Sequence, residues 1–129
     1  MELIRAGQIQ EFSNSGVTSR QLLFPENSSS IRLTVTRVTV KPGARNPPHR
    51  HPASEQVWVA LRGEGQLQLE DRRTEAFAAG DVVRFEDGDL HGFKNTGQQD
   101  FEYLSVTSPP VNFRNAYERN WSEKKTDDA

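Results

Sequence analysis

The chain has 129 residues, which is the usual length of one globular domain. Apolar residues make up 33%, and even with the 9 glycines added this is below the roughly 45–50% of an average domain. This favours a barrel or sandwich with a partly polar interior. The charges nearly balance, with 16 Lys and Arg against 18 Asp and Glu, which excludes the basic footprint of a nucleic-acid-binding protein. There is no cysteine, so disulfides, thiolate metal ligands and a cysteine nucleophile are excluded.

The sequence predicts neither a membrane segment nor a secretion signal. Its longest apolar run, Val57–Leu61, is far shorter than the roughly 20 residues that a membrane helix needs. The N-terminus carries Glu2 where a secretion signal has basic residues. We therefore expect a cytoplasmic protein whose partner is a small-molecule substrate, not a nucleic acid or a membrane.

Short strand patterns follow one another through most of the chain. They occupy residues 31–41, 56–61, 66–70, 73–78, 82–85 and 100–107. In the first of these, β-branched residues dominate and residue character alternates with period two, which is typical of a strand. Glycine and proline pairs such as Pro42-Gly43 separate the runs. About eight short strands with this punctuation predict an all-β fold, an antiparallel barrel or jelly roll.

The predicted strands divide the chain into three parts. Residues 1–30 supply N-terminal strands that could form an arm reaching a second subunit. Residues 31–111 form the barrel, and residues 112–129 form a C-terminal extension that is partly helical.

The C-terminal extension contains one helical pattern. Phe113, Ala116, Tyr117 and Trp121 are spaced i, i+3, i+4 and i+8, which predicts a short amphipathic helix. We expect this helix to pack against the outside of the barrel or against a second subunit. Residues 124–129 are expected to form a frayed tail.

The chain has only three histidines. His49 and His51 are two residues apart on a predicted strand, so their rings share one face. His91 lies beside a glycine turn between two other strands. Taken singly, each would be an ordinary histidine with its hydrogen bonds satisfied. Together they match the way in which a β-scaffold builds a metal site from three imidazoles.

Two stretches resemble the two sequence motifs of the cupin superfamily. The first runs Gly43, five residues, His49-x-His51, four residues, Gln56, six residues, Gly63. The second runs Gly80, five residues, Glu86-x-Gly88, two residues, His91, three residues, Asn95. The spacings agree with the family pattern, and Glu86 stands where the family has proline. The turns at Gly43, Gly63 and Gly88 are expected to need a positive φ.

The resemblance implies a small single-domain cupin with a jelly-roll barrel and a tendency to form homodimers. It implies that His49, His51 and His91 bind one divalent transition metal, with a fourth ligand at the family's glutamate position. Nitrogen and oxygen donors suit Fe, Mn, Ni, Co or Zn, and the sequence does not choose among them.

The fourth ligand position is ambiguous in this chain. The interval to Gly63 selects Gln56, whereas the nearest carboxylate is the adjacent Glu55. Neighbouring strand residues point to opposite faces, so only one of them enters the barrel. We favour Gln56, although a register shift of one residue would select Glu55. Three imidazoles and an amide leave the full charge on the metal, which favours anionic or chelating substrates.

Strand alternation predicts that Trp58, Phe93 and Ser105 line the pocket and that Tyr103 is a catalytic acid or hydrogen-bond donor. We expect a metal-dependent enzyme, most plausibly of the dioxygenase type, on a small oxygen-rich or anionic substrate. One alternative is a non-oxidative isomerase or lyase for sugar acids. The cupins of that kind carry an Asp and an Arg near the last strand, where residues 105–111 have neither. The other alternative is a non-catalytic small-molecule-binding barrel.

Overall fold

The computed structural model describes residues 1–121, which form two antiparallel β-sheets. The strands are β1 (Gln10–Asn14), β2 (Val17–Leu23), β3 (Thr34–Val40), β4 (Arg45–His49), β5 (Glu55–Arg62), β6 (Glu64–Gln68), β7 (Thr74–Ala78), β8 (Val82–Phe85), β9 (His91–Lys94) and β10 (Phe101–Ser108). Short 3-10 turns lie at Ala6–Gln8 and Glu70–Arg72, and the helix α1 spans Arg114–Tyr117. One sheet has the order β1-β2-β3-β10-β5-β8 and the other β4-β9-β6-β7. The predicted all-β jelly roll is confirmed.

The strands begin and end close to their predicted positions. The strand predicted for residues 82–85 is β8 without change, whereas the one predicted for 31–41 is shorter. It begins only at Thr34, because Ile31 lies outside the sheet with its side chain 83% exposed. Among residues 1–121, no helix is long and apolar enough to span a membrane.

The interior of the barrel has two chemically different ends, which we call the aromatic end and the polar end. The aromatic end contains Val40, Leu67, Phe77, Phe93 and Phe101. The polar end contains Ser19, Gln21, Thr34, Thr36, Gln56, Ser105 and Thr107, all buried. The register of β10 produces this division, because Phe101 pairs with Val40 while Thr107 pairs with both Thr34 and Gln56.

Two glycines hold the backbone beside the histidines. Gly88 has φ +83°, and its N–H donates to the carbonyl of His51 at 2.9 Å. Gly92 lets β4 and β9 approach closely, since a Cβ there would be 2.7 Å from the nitrogen of Pro48. The positive φ expected at Gly43, Gly63 and Gly88 is observed.

The C-terminal segment contradicts one expectation. The helix α1 is a single turn, and Phe113, Ala116, Tyr117 and Trp121 face the cavity at the polar end instead of the outside of the barrel. Phe113, Ala116 and Tyr117 are half-buried there, and Trp121 is buried. We call residues 112–121 the C-terminal cap. The frayed tail predicted for residues 124–129 lies outside the described residues.

Candidate metal centre

Three histidines from two neighbouring strands converge at the polar end. His49 is the last residue of β4, His51 follows it by two residues, and His91 is the first residue of β9. The register pairs His49 with His91, and their ring centroids are 4.5 Å apart. One ring nitrogen from each of the three lies within 4.8 Å of the others. The spacing of the three histidines in the sequence predicted this group.

Hydrogen bonds fix the orientation of two of the rings. The Nδ1–H of His49 donates to the carbonyl of Pro47 at 2.7 Å, and that of His91 donates to the carbonyl of Asp89 at 2.9 Å. A carbonyl only accepts, so the Nε2 atoms carry the lone pairs. Within residues 1–121, the buried Nε2 atoms of His51 and His91 have no hydrogen-bond partner. Because an unpartnered buried polar atom costs free energy, these nitrogens fit a cation that accepts their lone pairs.

Burial also keeps two of the imidazoles neutral. Burial, together with the smaller effect of the neighbouring His49, lowers the pKa of His51 from 6.5 to about 4. The same two causes lower the pKa of His91 to about 2. Metal binding requires the unprotonated ring. The donor set therefore suits a divalent transition metal at neutral pH.

The candidate fourth ligands lie on opposite faces of β5. Gln56 is buried, whereas Glu55 is on the outer face and pairs with Arg84 at 2.8 Å. The Nε2 of Gln56 donates to the hydroxyl of Thr107, and its Oε1 accepts from the indole N–H of Trp58, both at 2.9 Å. An indole nitrogen only donates, which fixes the amide orientation, and Oε1 keeps a second lone pair. Ligation by Gln56 stays a prediction.

His49 and His51 line a small cavity of about 90 Å³, and the ring of His91 lies directly behind them. Its barrel wall includes Ser19, Thr36, Asn46, His49, His51, Gln56, Trp58, Tyr103 and Ser105. Its cap wall consists of Phe113, Ala116, Tyr117, Arg119 and Trp121. Among the described residues, no Asp or Glu lines the cavity. The wall therefore offers hydroxyls, amides, aromatic rings and one guanidinium, but no carboxylate base.

The predicted pocket residues do not all lie on this wall. Trp58, Tyr103 and Ser105 do, but Phe93 does not. Phe93 points to the same side of β9 as His91 but two residues farther along it. There it stacks on Phe101 at 4.1 Å in the aromatic end. The prediction that Phe93 lines the pocket is wrong because strand alternation determines which face a side chain is on but not how deep in the barrel it lies.

Tyr103 has a partner that sequence reasoning missed. The amide of Asn46 donates to the Tyr103 hydroxyl at 2.9 Å, and the phenol ring stacks on Trp58 at 4.2 Å. Burial raises the pKa of Tyr103 well above 10.0, so the hydroxyl keeps its proton. Because the oxygen accepts from Asn46, that proton can point elsewhere in the cavity. No pattern in the sequence pointed to Asn46, and the helical spacing of the C-terminal cap did not show that its apolar side covers this cavity.

Comparisons with known proteins bear on the family and the fold of the chain. The Cupin domain profile matches residues 36–107, more than half of the chain. The oxalate-binding protein of Thermotoga maritima is 31% identical over 90 residues, covering 70% of this chain and 74% of that protein. Oxalate oxidase GF-3.8 of Triticum aestivum is 25% identical to this chain, and the match covers 87% of this chain and 54% of that protein. The chain therefore spans about half the length of such plant relatives. The solved polyketide cyclase RemF of Streptomyces resistomycificus has a TM-score of 0.69 and 26% identity, covering 98% of this chain and 89% of that one.

Proposed function

We propose that this chain, which belongs to the cupin family, is a divalent-metal-dependent enzyme of the dioxygenase type. Its substrate would be a small organic molecule that is anionic or rich in oxygen. The observation that carries the proposal is the convergence of three imidazoles, two with unpartnered buried Nε2 atoms, beside one small cavity. All the available donors are nitrogen and oxygen, which suits Fe, Mn, Ni, Co or Zn. Dioxygenase chemistry needs a redox-active ion of this group, Fe or Mn, because Zn²⁺ has no redox chemistry.

The charge of the site favours an anionic substrate. His51 and His91 are neutral at pH 7, and Gln56 in the fourth position would add no charge. With no carboxylate on the described wall, nothing offsets the charge of a divalent ion except the substrate itself. The names of two relatives support an anionic substrate, because one is called an oxalate-binding protein and the other an oxalate oxidase.

The chain's own residues would hold and shield the substrate. The metal, when bound, would polarise substrate oxygens and supply the redox chemistry of a dioxygenase. The protonated hydroxyl of Tyr103 is placed to donate a hydrogen bond to a substrate oxygen. Trp58 and the aromatic residues of the C-terminal cap would keep bulk water from the reacting atoms.

The proposal is tested by metal content and oxygen uptake. Protein is expressed with added Fe, Mn, Ni or Zn, and the metal per chain is measured. Oxygen consumption is then followed with a panel of small carboxylic acids, and His91→Ala serves as the metal-free control. We expect one metal per chain and oxygen uptake with at least one acid. A chain with no stoichiometric metal in any of these preparations would refute the proposed function.

A non-oxidative reaction is the second candidate. Its support is the likeness to a polyketide cyclase structure, which extends over 98% of the chain. Isomerase or lyase chemistry on a sugar acid is less favoured, because the described cavity wall offers no carboxylate to act as a base. Product formation without oxygen would favour the non-oxidative candidate, and tight binding without any turnover would favour a non-catalytic barrel.

We also propose a homodimer. The strand β1 is an edge of the six-stranded sheet, and Leu3 and Ile31 are large exposed apolar residues on the N-terminal part of the chain. An edge strand with apolar neighbours is a surface on which a second chain can pair. Sedimentation equilibrium measures the mass directly. The cytoplasmic location expected from the sequence is tested by cell fractionation.

A further inference from the structure

The C-terminal cap contributes a wall of the cavity although it lies outside the residues matched by the Cupin domain profile. The ring of Phe113 contacts that of His51 edge-on at 5.6 Å between centroids. Tyr117 and Trp121 pack on each other at 4.8 Å. The cap therefore brings its side chains to the same cavity as the histidines.

The cap is held in place by Asn14 of β1 and by Glu26, in the turn that follows β2. The side-chain amide of Asn14 donates to the carbonyls of Tyr117, at 3.0 Å, and of Arg119. The guanidinium of Arg114 pairs with the carboxylate of Glu26, its Nε lying 2.7 Å from the carboxylate oxygen. These contacts fix where the side chain of Arg119 begins.

Arg119, an exposed residue at the rim, is the one Arg among the described residues that line the cavity, and no Lys lines it. Within residues 1–121 it forms no ion pair with a carboxylate, whereas Arg114 in the same segment is bound to Glu26. A guanidinium binds a carboxylate through two parallel hydrogen bonds, which makes the pair both strong and oriented. An unpaired guanidinium at the edge of a cavity without acids is thus suited to an anionic ligand.

We propose that Arg119 binds one carboxylate of the substrate and so selects dicarboxylates over monocarboxylates. This proposal rests on the proposed function, because the other end of the substrate would lie at the histidines. The cavity has a volume of about 90 Å³. It is smaller than an apolar cavity of about 150 Å³ that accepts benzene. The substrate class is therefore a short-chain dicarboxylate and not an aromatic acid.

The test measures ligand affinity without relying on turnover. Both tryptophans of the chain, Trp58 and Trp121, line the cavity, so intrinsic fluorescence reports binding. Zinc-loaded wild-type, Arg119→Gln and Arg119→Lys proteins are titrated with malonate and with acetate. Arg20→Gln, on the outer face of β2, is the matched control because it removes the same charge away from the cavity.

We expect Arg119→Gln to weaken malonate binding about tenfold while acetate affinity changes less than about twofold. Arg119→Lys should recover part of the malonate affinity, since it keeps the charge but loses the two-pronged geometry. Added salt should weaken malonate binding more in the wild type than in Arg119→Gln. Arg20→Gln should leave both affinities unchanged.

Other outcomes would overturn the proposal in distinguishable ways. Unchanged malonate affinity in Arg119→Gln, or equal losses for malonate and acetate, would refute the role of Arg119 and leave the proposed function standing. The same holds if zinc-loaded wild-type protein binds no short dicarboxylate. A wild-type chain that takes up no zinc, iron, manganese or nickel would refute the proposed function, and the substrate class with it.

Discussion

The two ends of the barrel interior are built on the same strands, but one is packed with aromatic rings and the other is lined with polar side chains. Along β10, Phe101 and Tyr103 face the interior, followed on the same face by Ser105 and Thr107. At the aromatic end Phe93 stacks on Phe101. At the polar end, three buried polar atoms of the described residues have no hydrogen-bond partner: Gln21 Oε1, His51 Nε2 and His91 Nε2.

This difference explains the low apolar content of the chain. A barrel that filled its whole interior with apolar side chains would exceed 33% apolar residues. In this chain the free energy of burial comes mainly from the aromatic end. The polar end is left with unsatisfied groups that a ligand can satisfy. Three substitutions, a change of pH and one control substitution separate the two roles.

The largest expected effect is at the aromatic end. Phe93→Ala removes a fully buried ring and should lower the free energy of unfolding by about 3–5 kcal/mol. Metal per chain should stay the same under conditions in which the variant is folded. Urea denaturation of the metal-free protein and metal analysis measure the two quantities. A loss of metal in folded Phe93→Ala would mean that the two ends are not independent.

At the polar end the pattern should reverse. His51→Ala removes one of the three imidazoles and should weaken metal binding by more than about 100-fold, beyond the effect of an outer-shell change. The stability of the metal-free protein should be unchanged or slightly higher, because the variant loses a buried nitrogen without a partner. Competition with a chelator gives the affinity, and urea denaturation gives the stability. A strongly destabilised metal-free variant would show that His51 is part of the structural core.

Acid should destabilise the metal-free protein through the polar end. Above pH 6.5 both His51 and His91 are neutral in the folded and unfolded chains, so neither affects stability. Below pH 6.5 the two imidazoles become protonated in the unfolded chain but stay neutral in the folded chain, because burial lowers the pKa of His51 to about 4 and that of His91 to about 2. Stability should therefore fall as the pH drops from 6.5, by about 2 kcal/mol per histidine at pH 5. Urea denaturation across this range measures it, and His51→Ala should show a shallower slope.

The smallest expected effect concerns the fourth ligand. Gln56→Glu should bind metal about tenfold more tightly, because it adds an anion beside the ion. Trp58 can still donate to the carboxylate, and the Thr107 hydroxyl can turn its proton toward it. Substrate anions should be held more weakly. Competition with a chelator measures the metal affinity of Gln56→Glu.

Glu55→Gln is the matched control on the outer face. It removes only an exposed ion pair with Arg84, worth about 0–1 kcal/mol, and should leave metal affinity unchanged. Release of metal by Glu55→Gln, with no effect of Gln56→Glu, would show that the carboxylate and not the amide is the ligand.

The sequence predicted the parts of the site that follow from periodicity and motif spacing. Alternation along β5 placed Gln56 and Glu55 on opposite faces, and the structure has them there. The three histidines come together as their spacing implied. Phe93 was misplaced because alternation fixes a face but not a depth in the barrel.

The C-terminal cap could not be placed from its own pattern. The spacing of Phe113, Tyr117 and Trp121 shows that one side of the segment is apolar, but not which surface it covers. That depends on where the barrel has its open mouth, and on long-range contacts such as those of Asn14 with the cap. Asn46 was missed for the same reason, since its partner Tyr103 is 57 residues away in the sequence.

The contacts between Asn14 and the C-terminal cap have a consequence for how such a chain can diverge. Asn14 precedes the stretch 36–107 that matches the Cupin domain profile, and the cap follows it. The imidazoles lie inside that stretch, whereas Arg119 and the rest of the cap wall lie outside it. The proposed metal site and the proposed carboxylate site would therefore be encoded in separable parts of the gene, and exchange of the terminal segments between related chains would change the second while keeping the first.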